Sequence, residues 1–187
     1  MASKVENWLI TADEFLRMDF GPDRKAELVE GVVRMMGGGT RLHSRIQTRL
    51  LVALSKALAG SDCEAHGPDM AVRIDRNIIL YPDVSIYCGR DSNPEFDREL
   101  AGSDPKVVIE VLSDSTNRID QREKLPQYQT VSSIESIIFI DPEGELVRTF
   151  HRTGELSWQD SGLVQVDSLT LPSFGISIPA SDIFSRR

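Results

Sequence analysis

The 187-residue sequence predicts an α/β fold in which a mixed β-sheet is flanked by helices on both faces. One segment repeats its apolar residues at helical spacing, and several apolar segments of strand length follow it. A second segment with helical character separates the last two of these strands. Over residues 43–141, the core, the expected order is therefore helix, strand, strand, strand, helix, strand. The length of the chain suits one domain, residues 1–187.

Residues 9–36 are expected to place a short helix and a β-hairpin ahead of this core. In LITADEFLRM, Thr11 can cap the helix and Glu14 can complete a capping box. Two short apolar runs flank Glu30-Gly31 in KAELVEGVVRMMGGG, which is typical of a hairpin. The three glycines at 37–39 then indicate a loop.

The first core helix has the clearest pattern in the chain. It runs from His43 to Ala59 and ends at Gly60, and its apolar face consists of Ile46, Leu50, Leu51, Leu54 and Leu58. CEAHGPDMAVRID and NIILYPDVSIYCG follow as two expected strands, with a turn between them at residues 75–77.

A polar loop with a short helix, GRDSNPEFDRELAGSDP, is expected before the strand KVVIEVL. A helix from Asn117 to Thr130, capped by Thr116 or Asn117, and the strand IESIIFIDP complete the core. Pro126 is expected to kink or restart that helix, because proline removes a backbone hydrogen bond. Residues 144–187 are expected to form a β-rich extension, with a hairpin in ELVRTFHRTGELSWQD and further structure in LTLPSFGISIPASDIF.

Composition limits the function. The net charge of −8 argues against tight, non-specific nucleic-acid binding through a basic patch, although metal ions at carboxylates can also attract phosphates. No apolar run reaches the length of a membrane span, and MASKVENWLI lacks the features of a secretory signal. Cys63 and Cys88 have no metal-ligand spacing, so we expect small buried thiols in a reducing compartment, the cytoplasm.

Two carboxylates suggest a site. Glu110 lies in the middle of KVVIEVL, a strand that is apolar on both faces, where an unpaired charge would be costly. Asp83 follows Pro82 at the start of another strand, YPDVSIY. Carboxylates on neighbouring strands can hold a hard cation between them. The alternatives are an ordinary ion pair of Glu110 with an arginine or lysine, and a turn or capping role for Asp83.

The helix after Glu110 carries further polar residues on one face. Asp120, Lys124 and Tyr128 are spaced by four residues, so a lysine on this face could reach the strand that carries Glu110. The alternative is a solvated face on which Asp120 and Lys124 form a surface pair.

This combination resembles the PD-(D/E)XK nuclease superfamily, and within it the Uma-two family of candidate restriction endonucleases. The resemblance runs through AELVEGVVRMM, LHSRIQTRLLVAL, YPDVSIY, VVIEVLSDSTNRIDQREKLPQY, IIFIDP and LTLPSFGISIPASDIF. It implies a restriction-endonuclease-like α-β-β-β-α-β core, with additional strands at both ends. It also implies metal-dependent hydrolysis of phosphodiester bonds, with DNA as the expected substrate.

The resemblance also implies residue roles. Asp83 and Glu110 would hold Mg²⁺ or Mn²⁺, with the backbone carbonyl of Val111 as a third ligand. Leu112 occupies the position of the superfamily's usual lysine, and Lys124 would take over that role. Supporting positions are Glu27, His43, Ser113, Asp120 and Tyr128. For His43 the alternative is a satisfied polar residue at a helix start.

Three functions therefore compete. The first is a metal-dependent endonuclease acting on nucleic acid as a homodimer, an assembly suggested by exposed sheet edges and β-rich extensions. The second is an inactive relative that serves as a binding or structural module. The third is an unrelated α/β binding protein whose carboxylates coincide with the pattern by chance.

Overall fold

A computed structural model describes residues 9–22, 24–89, 95–113 and 117–185, without the side chains of residues 96 and 117–120. Its helices are α1 (Ala12–Phe15), α2 (Arg41–Ala57), α3 (Asn117–Thr130) and α4 (Ala180–Phe184). Its strands are β1 (Ala26–Val29), β2 (Val32–Met35), β3 (Cys63–His66), β4 (Ala71–Asp75), β5 (Ile78–Leu80), β6 (Val84–Cys88), β7 (Ala101–Gly102), β8 (Val107–Val111), β9 (Ser136–Asp141), β10 (Leu146–Arg152), β11 (Trp158–Asp160), β12 (Ser168–Leu171) and β13 (Ile176–Pro179). Short 3-10 helices span Phe96–Arg98 and Pro172–Phe174.

A six-stranded mixed sheet forms the centre, in the order β11-β10-β9-β8-β6-β3. Only β8 and β9 run parallel among these neighbours. Alternate residues of β8 face opposite sides, so Val107 and Ile109 pack with α2 whereas Val108 packs with Tyr128 of α3. Helices therefore cover both faces, which confirms the predicted fold class.

A second sheet, in the order β2-β1-β5-β4-β7, packs on the same face as α3. The prediction of two long strands over residues 63–88 is wrong here, although their turn after Asp75 is right. Each strand is divided: β3 and β6 pair in the central sheet, whereas β4 and β5 pair in the second. The divisions fall at Pro68 and Pro82, which have no N–H with which to continue a ladder.

Local signals at the N-terminus are confirmed. Thr11 and Glu14 form the capping box of α1. Glu30 and Gly31 have φ angles of 51° and 78°, as the tight turn between β1 and β2 requires. Helix α2 begins slightly earlier than predicted, because the side chain of Thr40 accepts a hydrogen bond from the His43 N–H at 3.1 Å.

Helix α3 has the predicted bounds and continues through Pro126, so the expected restart does not occur. A proline in a helix costs about 3 kcal/mol, which burial of the neighbouring Tyr128 side chain can offset. Thr116, one expected cap, lies outside the described residues, and Asn117 is the first helical residue.

The C-terminal hairpin of β10 and β11 is confirmed, and β12, β13 and α4 pack their apolar residues against α2.

The expectation of separate buried thiols is wrong. Cys63 and Cys88 are directly opposite in the β3–β6 register and form a disulfide. Sequence spacing does not reveal this register, since 25 residues separate the two cysteines. Across the described ranges, no helix is both long and apolar enough to cross a membrane.

Candidate functional site

A cavity of about 600 Å³ lies between the β1–β2 hairpin, the start of α2, strands β6 and β8, and α3. Most of the residues singled out in the sequence lie on its wall: Glu27, His43, Asp83, Glu110, Val111, Ser113 and Lys124. Elements from the two larger sheets and from both long helices therefore meet at one place. The side chain of Asp120 lies outside the described part of the structure.

Asp83 immediately precedes β6 and is bonded to two other elements. Its Oδ2 accepts a hydrogen bond from the backbone N–H of Val111 at 2.7 Å. Its Oδ1 accepts one from Nε2 of Gln47 in α2, also at 2.7 Å. The Nε2 atom of His43 lies 3.2 Å from Oδ2. These contacts position the carboxylate across elements, which a local turn or capping residue does not require.

Glu110 is nearly enclosed, with 5% of its surface exposed. Its Oε1 accepts hydrogen bonds from the hydroxyl of Tyr128 at 2.6 Å and from Nζ of Lys124 at 3.2 Å. Burial raises the pKa of Glu110 to about 8, and the negative charges of Asp83 and Glu27 act in the same direction. Lys124 and Tyr128 oppose the rise in this pKa but do not cancel it. The structure thus gives Glu110 the basic partner that the ion-pair alternative expected, Lys124, although the raised pKa favours the protonated form of Glu110 at neutral pH.

Lys124 is a buried residue, and the interpretation of its side chain as a solvated one is wrong. Only 8% of the whole residue is exposed. Its Nζ lies 2.9 Å from Oε1 of Glu27 and 3.2 Å from Oε1 of Glu110. Glu27 is held in turn by the backbone N–H of Tyr81 at 3.0 Å. One ammonium group from α3 thus bridges carboxylates on β1 and β8, one from each of the two larger sheets.

The contacts with Asp83 and Glu110 also shift the pKa values of His43 and Tyr128. The hydrogen bond to Asp83 is the main cause of a raised pKa for His43, which favours its charged form. Burial raises the pKa of Tyr128 well above its usual value, and the nearby Glu110 adds to the shift. Tyr128 therefore stays a neutral hydrogen-bond donor to Glu110.

The carboxylates surround the cavity without forming a closed metal cage. Among the described residues, the one group of three or more His, Cys, Asp or Glu side chains whose ligand atoms lie within 4.8 Å of one another is Asp62, Cys63 and Cys88. The two sulfurs of that group are already joined as a disulfide. A cation in the cavity would therefore depend on two carboxylates supplemented by backbone oxygen or water, a ligand set suited to hard ions.

Leu112 lies in an apolar environment. It lies two residues after Glu110 on the same side of the chain, but it packs in an apolar cluster with Val108 and Tyr128 and is 2% exposed. A lysine at position 112 would have to place its charge among these side chains. Lys124 reaches the same carboxylate from the facing helix.

Sequence reasoning missed Gln47, the donor to Asp83. Its spacing of four residues from His43 on α2 was the available signal. It also missed an ion pair between Arg34 of β2 and Glu123 of α3, both of which line the cavity. Nothing in the local sequence indicates that pair, because 89 residues separate its members.

The fold is that of a restriction-endonuclease-like protein. The family model Uma2, described as "Putative restriction endonuclease", matches residues 12–181, and the chain belongs to this family. A crystal structure of a "putative nuclease belonging to DUF820" from Anabaena variabilis is similar in fold, with a TM-score of 0.74 and 19% identity. The match covers 94% of this chain and 98% of that one.

Two proteins of Synechocystis sp. are similar in sequence. "Uncharacterized protein slr1290" is 27% identical over 176 residues, which cover 94% of this chain and 91% of that protein. "Uncharacterized protein sll1609" is 25% identical over 153 residues, which cover 80% and 85% of the two chains.

Proposed function

We propose that this protein is a metal-dependent endonuclease that hydrolyses phosphodiester bonds, with DNA as its substrate, at the cavity described above. The observation that carries the proposal is an excess of buried acid. Three largely buried carboxylates, those of Glu27, Asp83 and Glu110, line the cavity near the ammonium group of Lys124. Membership of a family described as "Putative restriction endonuclease" supports the same function.

The donor set suits a hard divalent cation. Asp83 and Glu110 would hold Mg²⁺ or Mn²⁺, with the carbonyl of Val111 as a further ligand. The burial of Glu110 at the same cavity as Asp83 supports the fit, because the positive charge of an ion there would offset the cost of burying the carboxylate. When bound, such an ion would acidify a water molecule and neutralise charge on the scissile phosphate.

The side chains of the chain itself would orient the substrate and the ligands. Lys124 would donate a hydrogen bond to a phosphate oxygen, while Glu27 keeps the ammonium group at the floor of the cavity. His43 would hold the Asp83 carboxylate in place, and its positive charge, favoured by the raised pKa, would attract phosphate. Tyr128 would fix the orientation of Glu110 through its hydroxyl. Ser113 and Asp120 are proposed as supporting residues.

The alternative is an inactive binding module. The apolar packing of Leu112, where the superfamily has its lysine, favours this alternative.

We further propose nucleic acid as the partner and a homodimer as the assembly. The cytoplasm is the proposed location, where the Cys63–Cys88 pair would be a dithiol, since cytosolic reductants keep thiols reduced.

The test is nicking of supercoiled plasmid by the purified protein with Mg²⁺ or Mn²⁺, in parallel with Asp83→Ala. The proposal expects metal-dependent nicking by the wild type, abolished by EDTA and lowered at least a hundredfold by the substitution. Equal nicking by both proteins would indicate a contaminant. Absence of nicking by the wild type under either metal would favour the inactive module.

A further inference from the structure

The ion pair between Arg34 and Glu123 lies above the buried one between Glu27 and Lys124. Glu27 and Arg34 are directly opposite each other in the β1–β2 register, so their side chains lie on the same face of the hairpin. Glu123 and Lys124 are consecutive on α3. Two ion pairs thus join the hairpin to the helix. In the inner pair the hairpin supplies the acid, Glu27, and in the outer pair it supplies the base, Arg34.

The two pairs differ in burial. The side chains of Lys124 and Glu27 are 10% and 11% exposed, whereas those of Arg34 and Glu123 are 49% and 45% exposed. All four line the cavity. The inner pair therefore belongs to the cavity floor and the outer pair to its mouth. An exposed ion pair contributes little to stability, so the outer pair can open at little cost.

Few cations are available at this mouth. Three lysines or arginines line the cavity as the structure describes it: Lys25, Arg34 and Lys124. Lys124 is held between two carboxylates, and Lys25 contacts the backbone carbonyl of Pro68, Asp69 and the ring of Tyr81. For Arg34 the ionic partner is the exposed Glu123. A polyanion approaching the acidic floor would meet its guanidinium group first.

We propose that Arg34 is a phosphate-binding residue, which exchanges Glu123 for a phosphate of the nucleic acid other than the one cleaved. This inference rests on the proposed function. The guanidinium group offers paired N–H donors that match two phosphate oxygens as well as they match a carboxylate, so a phosphate can take the place of the exposed Glu123. Glu123 then acts as an internal competitor, which occupies Arg34 until a phosphate displaces it.

The experiment is fluorescence anisotropy with a short fluorescein-labelled DNA duplex over a series of salt concentrations. Ca²⁺ is present in one series and EDTA in the other. Arg34→Gln should weaken binding about tenfold, since bonds to charged groups are among the stronger ones. It should also reduce the slope of log K against log salt by about 0.9, the value of one lost phosphate contact. Glu123→Gln should strengthen binding severalfold, and the double variant should bind like Arg34→Gln.

Arg73→Gln is the matched control, because Arg73 forms an exposed pair with Asp13 away from the cavity. It should bind as the wild type does. If Arg34→Gln lowers thermal stability enough to obscure binding, Glu123→Gln decides: tighter binding supports the proposal and wild-type affinity overturns it. A wild type that nicks plasmid while both variants keep its affinity and salt slope overturns this inference alone. A wild type that neither binds nor nicks overturns the proposed function as well.

Discussion

The ammonium nitrogen of Lys124 lies 3.2 Å from Oε1 of Glu110, although the two residues are 14 positions apart and belong to different elements, α3 and β8. This contact places a cation beside the carboxylate that sits in the middle of an apolar strand. It also brings a lysine to the cavity from helix α3, whereas the residue directly after strand β8 is the buried Leu112.

Lys124→Met should lower both stability and activity. It leaves Glu27 and Glu110 buried without their shared cation, and loss of one partner of a buried pair costs about 3–5 kcal/mol. The nicking rate should fall at least a hundredfold, because a donor aimed at developing charge is lost. Urea unfolding and plasmid nicking measure the two effects. Lys106→Met, which removes an exposed pair with Glu135, is the control and should change neither. Nicking at the wild-type rate by Lys124→Met would remove Lys124 from the mechanism.

Gln47→Ala should impair activity without unfolding the protein. The amide of Gln47 holds Oδ1 of Asp83, and loss of a residue that orients a metal ligand typically costs about 10–100-fold in metal affinity or activity. Mn²⁺ titration by calorimetry and plasmid nicking measure both effects. Thr48→Ala is the control, because Thr48 is the next residue of the same helix and its hydroxyl donates to the backbone carbonyl of Ser44 within α2. Unchanged Mn²⁺ affinity in Gln47→Ala would show that Asp83 does not need this contact.

Glu110→Gln should stabilise the protein increasingly as the pH rises. The folded pKa of about 8 exceeds the ordinary value of 4.5, so the native state retains a proton that the unfolded chain releases between these values. Wild-type stability should therefore fall from about pH 4.5 to about pH 8, and the substitution removes this loss. The difference should reach a few kcal/mol near pH 8, at about 1.4 kcal/mol per unit of pKa.

Urea unfolding at several pH values measures this difference. Glu135→Gln, at an exposed position, is the control and should show no such dependence. A difference between Glu110→Gln and the wild type that stays constant from pH 5 to pH 8 would show that Glu110 ionises normally in the folded protein.

Mn²⁺ should stabilise the protein more at pH 8 than at pH 6. Ion binding at Glu110 must displace its proton, and this costs less as the pH approaches the raised pKa. The increase in the melting temperature with Mn²⁺ concentration measures the binding. Asp83→Ala should abolish the increase at both pH values. An equal increase in that variant would place the ion elsewhere.

The Cys63–Cys88 disulfide should stabilise the protein under oxidising conditions. The disulfide closes a loop between residues 25 positions apart. Its removal is expected to lower the free energy of unfolding by about 2–4 kcal/mol. Cys63→Ser/Cys88→Ser should therefore melt several degrees below the oxidised wild type and close to the wild type treated with dithiothreitol. Two free thiols in the protein purified without reductant would contradict the disulfide.

The local elements could be predicted from the sequence, because their determinants lie within a few residues of one another. The apolar spacing of α2, the capping box at Thr11 and the hairpin turn at Glu30-Gly31 each depend on neighbours in the chain. The pattern of residues also singled out Asp83, Glu110 and Lys124. Their assigned roles came from the family resemblance, since a buried glutamate alone allows several interpretations.

The tertiary structure decided which of these elements meet. Whether the strand around Pro68 or Pro82 continues or crosses to a second sheet depends on pairing partners that are distant in sequence. The Cys63–Cys88 pair depends on the register of two strands. The same holds for Lys124: its position on a helix face is local information, but its burial between Glu27 and Glu110 depends on where the β1–β2 hairpin and β8 pack against α3. Periodicity determines which residues share a face, and only packing determines what that face contacts.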